Sequence, residues 1–174
     1  ITGDYTTEER ILLDVEVVKE DGSKHYLAVN DAVVARGQLS KTIDLHLTLD
    51  GDEISKYRAD GLLFATPTGS TAYSLSAGGP ILAPKMECIL MPPVCPHSLF
   101  SRSVLFSGES ELSVHVKIPE ECCCVLTIDG EKNVPVLATD RVVIRKSDLK
   151  LKLALLHNRN FYKLLNEKLK ERDF

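Results

Sequence analysis

The sequence predicts a mainly β domain, an antiparallel β-sandwich-like arrangement of many short strands with a short helix midway and another at the C-terminus. Three observations point there. Apolar residues alternate with polar ones over Leu13, Val15 and Val17, and again over Ile43, Leu45, Leu47 and Leu49, the pattern of strands with one buried face. Turn chemistry punctuates these runs at Asp21-Gly22, Asp50-Gly51, Gly108, Pro119 and Asp129-Gly130, at the spacing of an antiparallel sandwich or barrel. Only two segments read as helical.

Taken in order, further strands are expected over 26–29, 32–35, 61–65, 103–106, 112–116, 125–128, 141–144 and 149–155. Residues 70–77 follow a hydroxyl-rich stretch and suit about two helical turns, ended by Gly78-Gly79. In the tail, over 160–172, Phe161, Leu164, Leu165 and Leu169 share one helical face opposite Lys and Glu. Such a helix is expected to dock on its own domain. With no repeat or linker, one domain over 1–174 is expected.

Composition narrows the function classes. An apolar fraction of 44% and a charged fraction of 26% suit a soluble globular chain, and no apolar run is long enough for a membrane span. The net charge of -4 gives no general attraction to nucleic acid or anionic lipid. Cys122, Cys123 and Cys124 are consecutive, a spacing that suits neither a disulfide framework nor zinc. Small core thiols in a reducing, cytoplasmic compartment explain them better. No signal peptide is expected, because residues 1–10 carry acids and no apolar stretch. His25, His46, His115 and His157 lack partner spacing, so neither a metal site nor a triad is expected. His97, fixed between Pro96 and Ser98, reads as structural.

The chemistry concentrates at Thr66-Pro67-Thr68-Gly69-Ser70-Thr71-Ala72-Tyr73. A strand-to-helix turn of this kind exposes backbone N–H groups and hydroxyls together, and its small residues let a polar ligand such as a nucleotide approach closely. A Walker A loop is excluded, because no Gly-Lys-Ser or Gly-Lys-Thr follows. On residue chemistry alone, a turn that merely caps a helix is the commoner meaning of such a string.

The longer string DGLLFATPTGSTAYSLSAGGPILAP, over 60–84, closely resembles the signature of the NAD kinase family. GDYTTEER over 3–10, AVNDAVVARG over 28–37, PVCPHSL over 93–99 and FYKLLNEKL over 161–169 are similar to the same family, so the resemblance covers essentially the whole chain. It implies phosphoryl transfer from ATP, or polyphosphate in some members, to the 2′-hydroxyl of the adenosine ribose of NAD. The cofactors implied are NAD, the phosphate donor and a divalent metal such as magnesium.

Carried over by position, the resemblance implies that Asn30 and Asp31 hold the adenosine part of NAD, with Asp31 standing where the family has Glu. Thr71, Ala72, Tyr73 and Ser76 would line the adenine and ribose pocket, with Thr68, Ser74 and Leu75 in the same loop and helix. Asp60 would reach the nicotinamide end of NAD in a neighbouring subunit, with Arg58 two residues ahead on the same strand face, which implies a homodimer or homotetramer. On chemistry alone, Arg58 and Asp60 read as an ordinary surface ion pair. Lys41 and Glu131 fall where relatives contact the dinucleotide.

Phosphoryl transfer also needs a base for the acceptor hydroxyl and a cradle for the donor phosphates. In the family these sit in an amino-terminal domain with a Gly-Gly-Asp-Gly motif, and no Gly-Gly-Asp occurs here. No catalytic residue is therefore expected in this chain, and the 174 residues alone are expected to be inactive. Two other readings are a non-catalytic dinucleotide-binding or regulatory module and a lipid kinase-related domain; the string over 66–79 and the Asn30-Asp31 pair argue against the second, because a lipid site would want an apolar channel there.

Overall fold

A computed structural model describes residues 5–37, 42–98, 101–118, 124–156 and 160–170 of the chain. The strands are β1 (Thr6–Lys19), β2 (Gly22–Ala28), β3 (Asp31–Arg36), β4 (Ile43–Leu49), β5 (Asp52–Ala59), β6 (Gly61–Ala65), β7 (Cys88–Met91), β8 (Pro93–Val94), β9 (Val104–Ser107), β10 (Leu112–Lys117), β11 (Cys124–Ile128), β12 (Lys132–Val136) and β13 (Arg141–Leu155). A 3-10 turn (Thr68–Thr71) and helix α1 (Tyr73–Ser76) follow β6, and α2 (Phe161–Lys170) follows β13. The strands form two antiparallel sheets. The first runs β2-β1-β13-β10-β4-β5, and the second runs β12-β11-β3-β6-β7-β9 with β8 beside β6.

The sheets enclose one core. Leu13, Val15 and Val17 of β1, Leu45 and Leu47 of β4 and Ile144 of β13 face Val34, Leu62, Phe64, Ile89 and Leu126 of the second sheet, all with no or almost no exposure. The alternation seen in β1 and β4 follows from this, since each of these two strands is buried on one side. The second sheet is also covered outside, where Val33, Leu63, Ala65, Cys88 and Leu90 pack with Leu82. All five residues of β6 are consequently buried, and its apolar run is continuous.

The expected sandwich-like class and its strands stand, with informative differences. β13 is one strand of 15 residues, where two were expected. The polar stretch between them is a bulge opposite residues 11–13 of β1, in which the Ser147 hydroxyl accepts from the Leu149 N–H at 3.1 Å. Strands β5, β7, β8 and β12 were not foreseen. The expected helix over 70–77 is shorter and broken, because Ala72 (φ -93°, ψ -129°) reopens the chain between the 3-10 turn and α1. Gly78, at φ 81°, ends the segment as expected.

The tail helix is capped by Asn160, whose side-chain oxygen accepts from the Tyr162 N–H at 2.9 Å. Phe161, Leu164 and Leu165 are half-buried and none belongs to the core, so the expected docking amounts to partial cover only. The side chain of Leu169 lies outside the described residues, as do Cys122, Cys123 and His157. Cys124 is a buried core thiol, pushed up to about 12 by burial. Among the described residues no helix is long and apolar enough to cross a membrane.

Candidate functional site

Strand register brings the candidates together. On β3, Asp31 lies opposite Ala65 of β6, and Ala32 lies opposite Ile128 of β11. The residues just beyond these pairs, Asn30, Thr66 and Asp129, therefore converge at one end of three neighbouring strands.

The loop after β6 is tied to this end. The Thr66 N–H donates to the Asn30 carbonyl at 2.9 Å, and the Thr66 hydroxyl donates to the Val29 carbonyl at 2.6 Å. The same hydroxyl oxygen accepts from the Gly69 N–H at 3.0 Å. Gly69 lies so close over Asn30 that a Cβ would overlap the Asn30 backbone, which only glycine permits. The Ser70 hydroxyl donates to the Pro67 carbonyl at 2.7 Å and accepts from the Leu82 N–H at 3.0 Å.

The hydroxyls thus divide by role. Thr66 and Ser70 are buried and spent on holding the loop. Thr68, Thr71 and Leu75 are half-buried, Ala72 and Ser76 are exposed, and the Tyr73 ring is 47% exposed. Ser74 is buried with its Oγ unpartnered, pressed against Gly79.

Asp31 is 4% exposed. Burial, and then repulsion from the Asp129 carboxylate, push its acid up to about 6. Asp129 was legible only as half of an Asp-Gly turn. Its carboxylate instead accepts from three successive backbone N–H groups: Val29 at 2.8 Å, Asn30 at 2.7 Å and Asp31 at 3.0 Å. Glu131 follows in the same turn and is exposed; Lys41 lies outside the described residues.

Arg58 and Asp60 are elsewhere. Asp60 precedes Gly61, which pairs with Ala35 at the far end of β3, about 20 Å from Thr66 at about 3.3 Å per strand residue. The two do not form the ion pair expected between them. Asp60 takes the Arg36 guanidinium with both oxygens at 2.9 Å, and Arg58 takes Asp44 at 2.9 and 3.2 Å. The reason is topological: β5 ends at Ala59, so Asp60 turns toward β3 while Arg58 stays opposite Asp44 of β4. A polar cleft of about 590 Å³ lies beside Arg58, lined by His46, Lys56, Tyr57 and His97 among others. In sequence, Arg36 showed nothing beyond its charge.

The ATP-NAD kinase C-terminal domain model matches residues 29–156. The chain is 39% identical over 170 residues to an NAD kinase of Natranaerobius thermophilus, covering 97% of the chain and 59% of that protein. It is 41% identical to an NAD kinase of Magnetococcus marinus over 170 residues, covering 96% and 55%. Among solved structures, yeast NADH kinase complexed with NADH superposes with a TM-score of 0.87 at 27% identity, covering all of this chain and 53% of that one. An NAD kinase from Archaeoglobus fulgidus in complex with ATP gives 0.78 at 27% identity, covering 94% and 60%. The chain thus spans a little over half the length of the proteins it matches. It belongs to the ATP-NAD kinase family, of which it carries the C-terminal domain.

Proposed function

We propose that the whole protein is an NAD kinase, transferring a phosphate from ATP to the 2′-hydroxyl of the adenosine ribose of NAD, and that residues 1–174 form its dinucleotide-binding domain. The observation that carries this reading is the junction of the Thr66–Ser76 loop with Asn30 and Asp31. Thr66 and Gly69 fix the loop over a strand end, where an ionised Asp31 can accept hydrogen bonds from ribose hydroxyls. Thr68, Thr71, Ala72, Tyr73 and Ser76 stay accessible enough to line a nucleoside pocket. NADH beside NAD, and polyphosphate beside ATP, are variants of the same chemistry.

Arg58 and Asp60 serve a second copy in this reading. Their distance from Thr66 along β6 suits a homodimer or homotetramer in which each nicotinamide end meets the neighbour's Asp60. Among the described residues no group of three or more His, Cys, Asp or Glu could hold a metal ion. The magnesium that accompanies ATP, and the base for the 2′-hydroxyl, are assigned to the part of the protein beyond this chain.

The test is NADP formation from NAD and ATP. The full-length protein is expected to form it, and residues 1–174 alone to form none. NAD binding without NADP formation by the full-length protein would favour a regulatory module; turnover by the isolated 174 residues would overturn the division of labour.

A further inference from the structure

Asn30 and Asp31 owe their placement to an acid about a hundred residues away. Asp129 Oδ2 accepts from the Val29 N–H, and Oδ1 accepts from the N–H groups of both Asn30 and Asp31. Its own N–H donates to the Asp31 carbonyl at 2.9 Å. Thr66 takes the carbonyls of Val29 and Asn30 from the opposite strand. The backbone of these three residues is therefore held from both neighbouring strands, and its polar groups are engaged with protein.

A hairpin turn does not require this arrangement. Asp129 takes φ 50° and Gly130 φ 72°, a pair of left-handed residues that Asn-Gly or Gly-Gly supplies equally well. What a carboxylate adds is two acceptor oxygens for three converging N–H groups, a concave donor set that favours an anion. It also places a second acid beside Asp31, which already lacks solvent. Across the strands Asp31 has the uncharged Ala65 on β6, with Thr66 following, and on β11 the uncharged Ile128 precedes Asp129. Among the described residues, Asp129 is the charged group that bears on it.

We propose that Asp129 is a positioning residue, which holds the Asn30-Asp31 backbone so that these two side chains meet the adenosine end of a bound dinucleotide. This rests on the NAD reading above. It has a consequence for pH. Asp31 accepts ribose hydroxyls as a carboxylate, so NAD affinity falls as pH drops through the acid's raised value of about 6. Removing the Asp129 charge lets Asp31 ionise at lower pH and extends binding downward.

The experiment uses the full-length protein and two variants. Asp129→Asn tolerates the left-handed turn and keeps one acceptor oxygen without the charge. Asp129→Gly keeps the turn and loses all three hydrogen bonds. NAD affinity is measured by calorimetry from pH 5 to 8, and the Asp31 carboxyl is titrated by NMR without ligand. Asp129→Asn is expected to move both the acid limb of the affinity profile and the Asp31 titration down together, by about half a pH unit or more. Asp129→Gly is expected to weaken NAD binding at least about tenfold at pH 8, where Asp31 is ionised in every variant.

An Asp129→Asn profile that coincides with wild type would overturn the proposal, and so would undiminished affinity in Asp129→Gly. If Asp129→Gly does not fold, the affinity of Asp129→Asn at pH 8 decides, since Asp31 is ionised there and one of the two acceptor oxygens is lost: weakened binding supports the positioning role and wild-type affinity overturns it. Wild-type protein indifferent to NAD at every pH would instead contradict the NAD reading itself.

Discussion

The two sheets solve the same burial problem in opposite ways. The first packs one face inward and turns the other to water, where Arg145 bridges Asp14 at 3.0 Å, Glu16 at 2.8 Å and Glu111 at 3.1 Å. Lys146, paired with the buried Leu13, bridges Glu87 and Glu109 from the opposite face. The second sheet is buried on both faces around β6, and the candidate site sits where its central strands end. Ion pairs on a wet face are individually weak and replaceable. At the ends of β3, β6 and β11, backbone groups lack water and must be satisfied within the protein. The loops there are consequently held rigidly, as a binding site needs.

Substitutions that pit one sheet against the other should separate in size. Phe64→Ala empties the centre of the second sheet and should cost about 3–5 kcal/mol in chemical denaturation. Gly69→Ala forces a Cβ into the Asn30 backbone, and should cost about 2–3 kcal/mol while abolishing NAD binding. A Gly69→Ala protein with wild-type affinity would break the claim that the loop is seated on Asn30.

Asp31→Asn should act in the opposite sense on stability. The folded acid keeps its proton up to about pH 6, while the unfolded acid loses it near pH 4. Wild-type stability therefore falls as pH rises between these values, and the loss is complete above them. Asp31→Asn removes that loss, so the variant should gain up to about 2–3 kcal/mol at pH 7.5 and nothing below about pH 4. Thermal melts across that window check the sign. The smallest effect is expected on the wet face, where Arg145→Met should cost about 1 kcal/mol or less. A loss there rivalling that of Phe64→Ala would erase the contrast between the sheets.

The first sheet was also the more legible one. β1 and β4 alternate because one of their faces is wet, whereas β5 begins with the polar run Asp52, Glu53 and lies at a sheet edge, so no apolar period marks it. β12 is likewise an edge strand and contains Pro135. β7 has only four residues, all buried, too few to show a period.

At the site, resemblance marked the loop, and its chemistry alone read as a capped turn. That chemistry was half right, because Thr66 and Ser70 do hold the turn. The contact of Asp129 with Val29, Asn30 and Asp31 could not be read locally, since it depends on β11 lying beside β3. Arg58 and Asp60 misled for the same reason: sequence neighbours suggested a pair, but each finds its partner on an adjoining strand.

The central claim is that Asp31, held by Asp129 beside the Thr66–Ser76 loop, receives the adenosine ribose of NAD. Calorimetric titration of NAD into full-length wild type and Asp31→Asn at pH 8 tests it most directly. The variant should be the more stable protein and yet bind NAD at least about tenfold more weakly, a loss of about 1.4 kcal/mol. Equal affinity in the two proteins would contradict the account.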